Sequence, residues 1–137
     1  MSFARYLDHV AIAVQKIDPH LTVYYDLGLH LDGIEKVEHQ KVRVAFLSTP
    51  DGQTRIELVE PLTDDSPISK FLQRFGEKIH HLCFRTDDLK QVIQVLTEQG
   101  YRWIQSEPAV GAGNACIAFL HPSSTHGVLI EFKEPCS

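Results

Sequence analysis

Two histidines and two glutamates recur at matched places in this chain, and both residue types bind divalent metal ions. His9 and His81 lie 72 residues apart, and Glu57 and Glu131 lie 74 residues apart. Imidazole and carboxylate ligands together suit a divalent ion of intermediate hardness. Four such ligands in an octahedral shell would leave two positions for water or a chelating substrate. The sequence therefore predicts a metal site formed by His9, Glu57, His81 and Glu131.

Alternation of apolar and polar residues predicts that all four side chains point the same way from their strands. Side chains of successive strand residues point to opposite faces of a sheet. In the first and fifth predicted strands, His9 and His81 lie opposite the branched and aromatic apolar residues. In the fourth and eighth, Glu57 and Glu131 lie opposite theirs in the same way. Packing alone gives no reason to repeat a His and a Glu at matching places, so we interpret them as ligands.

The other histidines and two further glutamates receive different interpretations. Glu60 and Glu134 recur as well, but they lie at strand ends and alternate in step with the apolar residues. We expect solvated carboxylates at these two positions. The remaining histidines lack the symmetry, and we interpret them as surface, loop or opposite-face residues: His20, His30, His39, His80, His121 and His126.

Three cysteines without a CxxC unit predict neither a disulfide framework nor a closed structural zinc site. Cys83 and Cys116 fall within strand patterns, and we interpret them as small core residues. Cys136 lies near the C-terminus, where we expect it to be mobile.

Further matched landmarks indicate a tandem duplication. Gly28 and Gly100 each close a helical pattern, Ala45-Phe46-Leu47 recurs at 118–120, and 56–61 recurs at 130–135 with four identical positions. Each copy predicts the order βαβββ. The expected fold is α+β, with tandem βαβββ modules forming a curved eight-stranded mixed sheet around a metal-containing cleft.

The predicted organisation is a single domain over 1–137, long enough to bury a core. Module 1 covers about 5–62, a connector helix about 63–78, and module 2 about 79–135. In module 1, Asp18 is the expected cap of the first helix. In module 2, a short strand is expected at 101–105 and a Gly- and Pro-rich loop at 106–114.

Composition and charge exclude several classes of partner. The chain has 137 residues, 43% of them hydrophobic, and a formal net charge of −5 without a basic block. Nucleic-acid binding is therefore disfavoured, because phosphate contacts need clustered Lys or Arg. No apolar run reaches membrane-spanning length and the N-terminus lacks a signal-peptide pattern, so we expect no membrane partner and a cytoplasmic location.

Six segments together resemble the methylmalonyl-CoA epimerases of the vicinal-oxygen-chelate superfamily, which includes glyoxalase I. These segments are 7–14, 56–62, 66–72, 79–84, Phe-Leu-His-Pro at 119–122 and Gly-Val-Leu-Ile-Glu at 127–131. The resemblance implies paired βαβββ modules, an acyl-CoA substrate and a homodimer. It also implies that His9, Glu57, His81 and Glu131 are the metal ligands. The native metal is left open among cobalt, nickel, manganese, magnesium and zinc.

The resemblance further implies proton transfer at C2 of methylmalonyl-CoA, with Glu131 as one acid/base. Some related epimerases carry an acidic residue in the third strand as the second base. Here that strand (40–47) contains no carboxylate, and Gln40 could at most position a water or an oxygen. The second acid/base is therefore unassigned at this point.

Three alternatives share the expected fold. A glyoxalase I type lyase or isomerase acting on the thiol adduct of a 2-oxoaldehyde could use the same four ligands. A metal-dependent dioxygenase normally needs three protein ligands, so a fourth argues against it. A non-catalytic ligand-binding member of the fold would not need to keep all four.

Overall fold

The computed structural model describes residues 2–136. The strands are β1 (Tyr6–Ala13), β2 (His30–Val37), β3 (Val42–Ser48), β4 (Arg55–Pro61), β5 (Lys78–Arg85), β6 (Ala109–Val110), β7 (Ala115–Leu120) and β8 (Ile130–Pro135). The helices are α1 (Asp18–Asp26), α2 (Pro67–Phe75) and α3 (Leu89–Glu98). The backbone divides into two compact units. His9–His80 form the first unit, and the described residues before and after it form the second.

The first unit is built on four strands and one covering helix. β1 pairs in parallel with β4, β4 pairs antiparallel with β3, and β3 pairs antiparallel with β2. Fully buried Val14, Ile17 and Leu58 form the centre of its core, and Leu21 and Tyr24 of α1 pack against them. Helix α1 thus covers one face of these strands. The polar side chains among them, such as that of Glu57, lie on the opposite face.

The second unit repeats this plan with different residues. β5 pairs in parallel with β8, β8 pairs antiparallel with β7, and β7 pairs with the short β6. Leu89 and Val92 of α3 pack with Ala118, Leu120 and Phe132 in its core. The α+β class and the duplicated βαβββ plan predicted from the sequence are confirmed. No helix in the described part of the chain has both the length and the apolar character needed to cross a membrane.

The sixth strand was predicted at the wrong place. Residues 101–105 contribute a single bridge, Trp103 to Leu120, while β6 is Ala109–Val110, inside the predicted loop. The Trp103 ring lies 6.2 Å from the Phe132 ring, in the core beside α3. Packing of this large side chain and two backbone hydrogen bonds, from Ile104 N–H to Phe119 O and from His121 N–H to Arg102 O, hold the segment without a continuous ladder.

Helix α1 starts differently from the prediction. Asp18 lies in the first turn, and the N-cap residue is Ile17, which has no side-chain cap. The backbone N–H of Ile17 donates instead to Glu60 Oε1 at 2.8 Å. Glu60 is 7% exposed and its other oxygen lies 3.6 Å from Arg43, so the expectation of a solvated carboxylate is wrong. A carboxylate is stabilised there because the N-terminus of a helix carries partial positive charge.

The interpretation of two cysteines is also wrong, because Cys116 and Cys136 form a disulfide across 20 residues. Cys116 lies opposite Glu134 in the β7–β8 ladder, which brings the segment after β8 beside it. Strand pairing, which residue spacing does not reveal, creates the contact. Cys83 is free and fully buried, as expected of a core residue.

We expect the native protein to show no thiol that reacts with Ellman's reagent. Burial, followed by the negative charge of Glu131 and the hydrogen bond that the thiol donates to it, raises the pKa of Cys83. Unfolding without a reductant should expose one thiol per chain, and reduction should expose three. The Cys83→Ser variant should show none after unfolding alone. A thiol that reacts in the native protein would contradict the buried position of Cys83.

Candidate metal centre

In the first unit, His9 and Glu57 form a buried pair. His9 Nδ1 lies 3.0 Å from Glu57 Oε2. The two residues are only 4% and 7% exposed. Ala11, which is fully buried, lies opposite Glu57 in the parallel β1–β4 ladder. The residues predicted from alternation on β1 and β4 thus meet on one face of this unit.

In the second unit, His81 and Glu131 form the equivalent pair. His81 Nε2 lies 3.1 Å from Glu131 Oε1, and both residues are buried. The edge of the His81 ring meets the ring of Phe119, with centroids 5.2 Å apart. Phe119 lies opposite Glu131 in the β7–β8 ladder, so it shares the sheet face of Glu131 while its ring contacts His81.

Each copy of the duplicated plan therefore places one imidazole against one carboxylate away from water. A buried carboxylate is costly unless a hydrogen bond or a positive charge compensates it. Such a pair can share a proton or bind a cation. His9, His81 and Glu131 are candidate ligand groups by residue type and burial. That all four side chains hold one ion remains a prediction.

The sequence did not single out a charged pair close to these residues. Lys133 Nζ lies 3.0 Å from Asp8 Oδ2, and Asp8 is 4% exposed. Asp8 precedes His9 in the chain, and both Asp8 and Lys133 act electrostatically on the buried Cys83. The position of Asp8 within a strand predicted to be buried could have indicated this ion pair, because a charged side chain that is buried needs a partner of opposite charge.

The comparison with protein families decides the family. Residues 8–119 match the model of the Glyoxalase/Bleomycin resistance protein/Dioxygenase superfamily. The chain belongs to this superfamily. The match covers β1 through nearly all of β7, and so includes three of the four predicted ligands, His9, Glu57 and His81.

Individual members of the superfamily match nearly the whole chain. The uncharacterized protein YqjC of Bacillus subtilis is 42% identical, over 94% of this chain and 91% of its own length. A methylmalonyl-CoA epimerase structure from Mycobacterium tuberculosis superposes with a TM-score of 0.94 at 38% identity, covering 99% of this chain and 91% of that one.

A second solved structure contains a ligand. A single-residue variant of Streptomyces coelicolor methylmalonyl-CoA epimerase, in complex with 2-nitronate-propionyl-CoA, has a TM-score of 0.89. It is 34% identical and covers 99% of this chain and 97% of that one. The resemblance predicted from the sequence motifs is thus confirmed, and the chain is an isomerase of the epimerase type.

Proposed function

We propose that this protein is a metal-dependent epimerase that interconverts the two C2 epimers of methylmalonyl-CoA. The observation that carries the proposal is the buried His–Glu pair, built once in each unit at equivalent strand positions. Full-length similarity to proteins named methylmalonyl-CoA epimerase supports the choice of substrate. The proposal includes a homodimer, as the sequence resemblance implies, and the cytoplasmic location expected from the sequence pattern.

The donor set fits a divalent cation. Two imidazoles and two carboxylates, all less than 10% exposed, suit cobalt, nickel, manganese, magnesium or zinc. We propose that His9, Glu57, His81 and Glu131 hold this ion, whose charge would compensate two buried carboxylates. When bound, it would supply Lewis-acid stabilisation of negative charge on the thioester and carboxylate oxygens of the substrate.

The chain's own residues would handle the proton. A C2 proton between a thioester and a carboxylate is removed only if the remaining charge is stabilised and a base lies within hydrogen-bond distance. Glu131 is the proposed base, because its carboxylate is buried beside an imidazole, behind Phe119 and next to the Cys83 thiol. These neighbours would limit competition from water for the same oxygens.

The test is deuterium exchange at C2 of methylmalonyl-CoA in heavy water, with and without a chelator. We expect exchange and epimerisation by the metal-loaded protein, and at least a ~100-fold loss after the ion is removed, because a ligated metal stabilises several kcal/mol of developing charge. Restoring the ion should restore both. Absence of chelator-sensitive exchange would rule out the proposal.

The same assay separates the alternative activity. A glyoxalase I type enzyme would turn over the glutathione adduct of methylglyoxal and leave methylmalonyl-CoA unchanged. This second substrate is a necessary comparison, because the description of the superfamily names glyoxalase and the four proposed ligands would serve either reaction.

A further inference from the structure

The last residues of strand β8 are held by fewer neighbours than the rest of that strand. Up to Lys133, β8 pairs with β5 on one side and with β7 on the other. Beyond Lys133, within the described residues, β8 pairs with β7 alone: Glu134 lies opposite Cys116, and Pro135 lies opposite Ala115. The end of this strand therefore depends on a single neighbouring strand.

The backbone at this end also has one hydrogen-bond donor fewer than an ordinary strand. A proline has no backbone N–H, so Pro135 cannot donate to β7. Segments near a chain terminus stay ordered only where something ties them down. A covalent tie is present here, because Cys136, directly after β8, forms a disulfide with Cys116 on β7.

The two bonded cysteines are accessible to small thiols, whereas the third cysteine is not. Cys116 and Cys136 are both half-buried, and Cys136 follows the exposed Pro135. Cys83 is free and fully buried, so it cannot exchange with the bonded pair. Disulfides that solvent can reach are the more readily reduced ones, and disulfides in the cytosol are usually transient or redox-sensing.

The fold has the contacts to persist without this bond. The β7–β8 ladder continues for four residue pairs beyond Cys116, from Ile117 opposite Lys133 to Leu120 opposite Ile130. Core residues of the second unit lie in that stretch and pack beneath α3. Reduction should therefore release the end of β8 while the remainder of the unit stays folded.

The disulfide lies on the sheet face opposite to that of Glu131. Cys116 packs against the core covered by α3, together with Ala118, two residues further along β7. Phe119, the next residue, lies opposite Glu131 and shares its face. Making or breaking the bond thus changes the order of the chain end and leaves Glu131 between its two partner strands.

We propose that Cys116 and Cys136 form a reversible redox switch that ties down or releases the end of β8, with glutathione disulfide as the oxidant. This inference rests on the cytoplasmic location in the proposed function and is independent of the proposed reaction.

The oxidation proceeds by two thiol–disulfide exchanges. The Cys136 thiolate attacks glutathione disulfide, which forms a mixed disulfide and releases one glutathione thiolate. The Cys116 thiolate then attacks the Cys136 sulfur and releases the second glutathione thiolate. Two protein thiols are oxidised, one glutathione disulfide is reduced, and the two thiol protons pass to the released glutathione molecules.

The test equilibrates the full chain in glutathione buffers of graded ratio between reduced and oxidised forms, followed by acid quenching and mass spectrometry. We expect the pair to pass from reduced to oxidised within the range of ratios found in cytosol, with Cys83 unmodified throughout. Reduction should increase amide hydrogen exchange at Glu134 and Cys136 by up to ~100-fold, the effect expected when a closed loop of this length is opened. The melting temperature should fall by roughly 10 °C.

Cys136→Ser and Cys83→Ser are the matched variants. Cys136→Ser should behave like the reduced wild type in every buffer, whereas Cys83→Ser should respond to glutathione as the wild type does. Reduced wild type needs no substitution and serves as the second measurement. A pair that stays oxidised, or stays reduced, across the cytosolic range would overturn the switch, as would equal exchange at the end of β8 in both states. None of these readouts involves turnover, so their outcome is separate from that of the epimerase assays.

Discussion

Replacing Glu131 by glutamine should abolish exchange at C2 in both epimers together with epimerisation. The amide keeps the size of the side chain but has no basic oxygen and gives weaker ligation, so both proposed roles of this residue are lost. We expect a fall of at least ~10³-fold in kcat, since an acid/base alone contributes about 10²- to 10⁴-fold. The measurement is deuterium incorporation by mass spectrometry, beside a coupled epimerisation assay.

Glu134→Gln is the matched control for Glu131→Gln. Glu134 lies on the same strand, is partly buried and faces the other way from the proposed ligand. It should keep wild-type rates. Residual exchange in both epimers after Glu131→Gln would show that another group removes the proton.

His9→Ala and His81→Ala should each lower bound metal and activity together. If both imidazoles ligate one ion, neither copy of the duplicated plan suffices alone, and the two variants should resemble each other. We expect metal affinity to fall by more than the ~10- to 100-fold typical of residues that merely support a ligand. Metal per chain after dialysis against a defined cobalt concentration, measured by mass spectrometry, provides a readout independent of turnover.

His30→Ala is the control for these two variants, because His30 is an exposed histidine at the start of β2. Its metal content and rate should equal those of the wild type. Full metal content in either His9→Ala or His81→Ala would contradict the four-ligand site. Loss of metal in one variant alone would assign the ion to a single unit.

Local patterns accounted for the proposed ligands. Period-two alternation placed His9 and Glu57 on one face of the first unit and His81 and Glu131 on one face of the second, and in the folded chain the N and O atoms of each pair lie within 3.1 Å. Alternation is a property of the extended chain itself, so it can be read without knowing which strands pair. The duplication then extended the prediction from one unit to the other.

Long-range pairing decided the features that these patterns missed. The Cys116–Cys136 disulfide depends on the β7–β8 register, and the Glu60 contact with Ile17 N–H depends on where the end of β4 meets the start of α1. Neither residue's neighbours in the chain indicate its partner. Such contacts join positions 20 and 43 residues apart, so only the folded chain determines them.

The bulge in β2 shows the same division. Alternation counted along β2 from Leu31 would assign Glu35 to the core side, whereas the register shift between Leu31 and Gly33 places it on the opposite face. A bulge inserts one extra residue relative to the partner strand and reverses every face after it. By itself the sequence determined which residues could do the chemistry. The tertiary structure decided which of them share a face, because register belongs to a pair of strands and to neither strand alone.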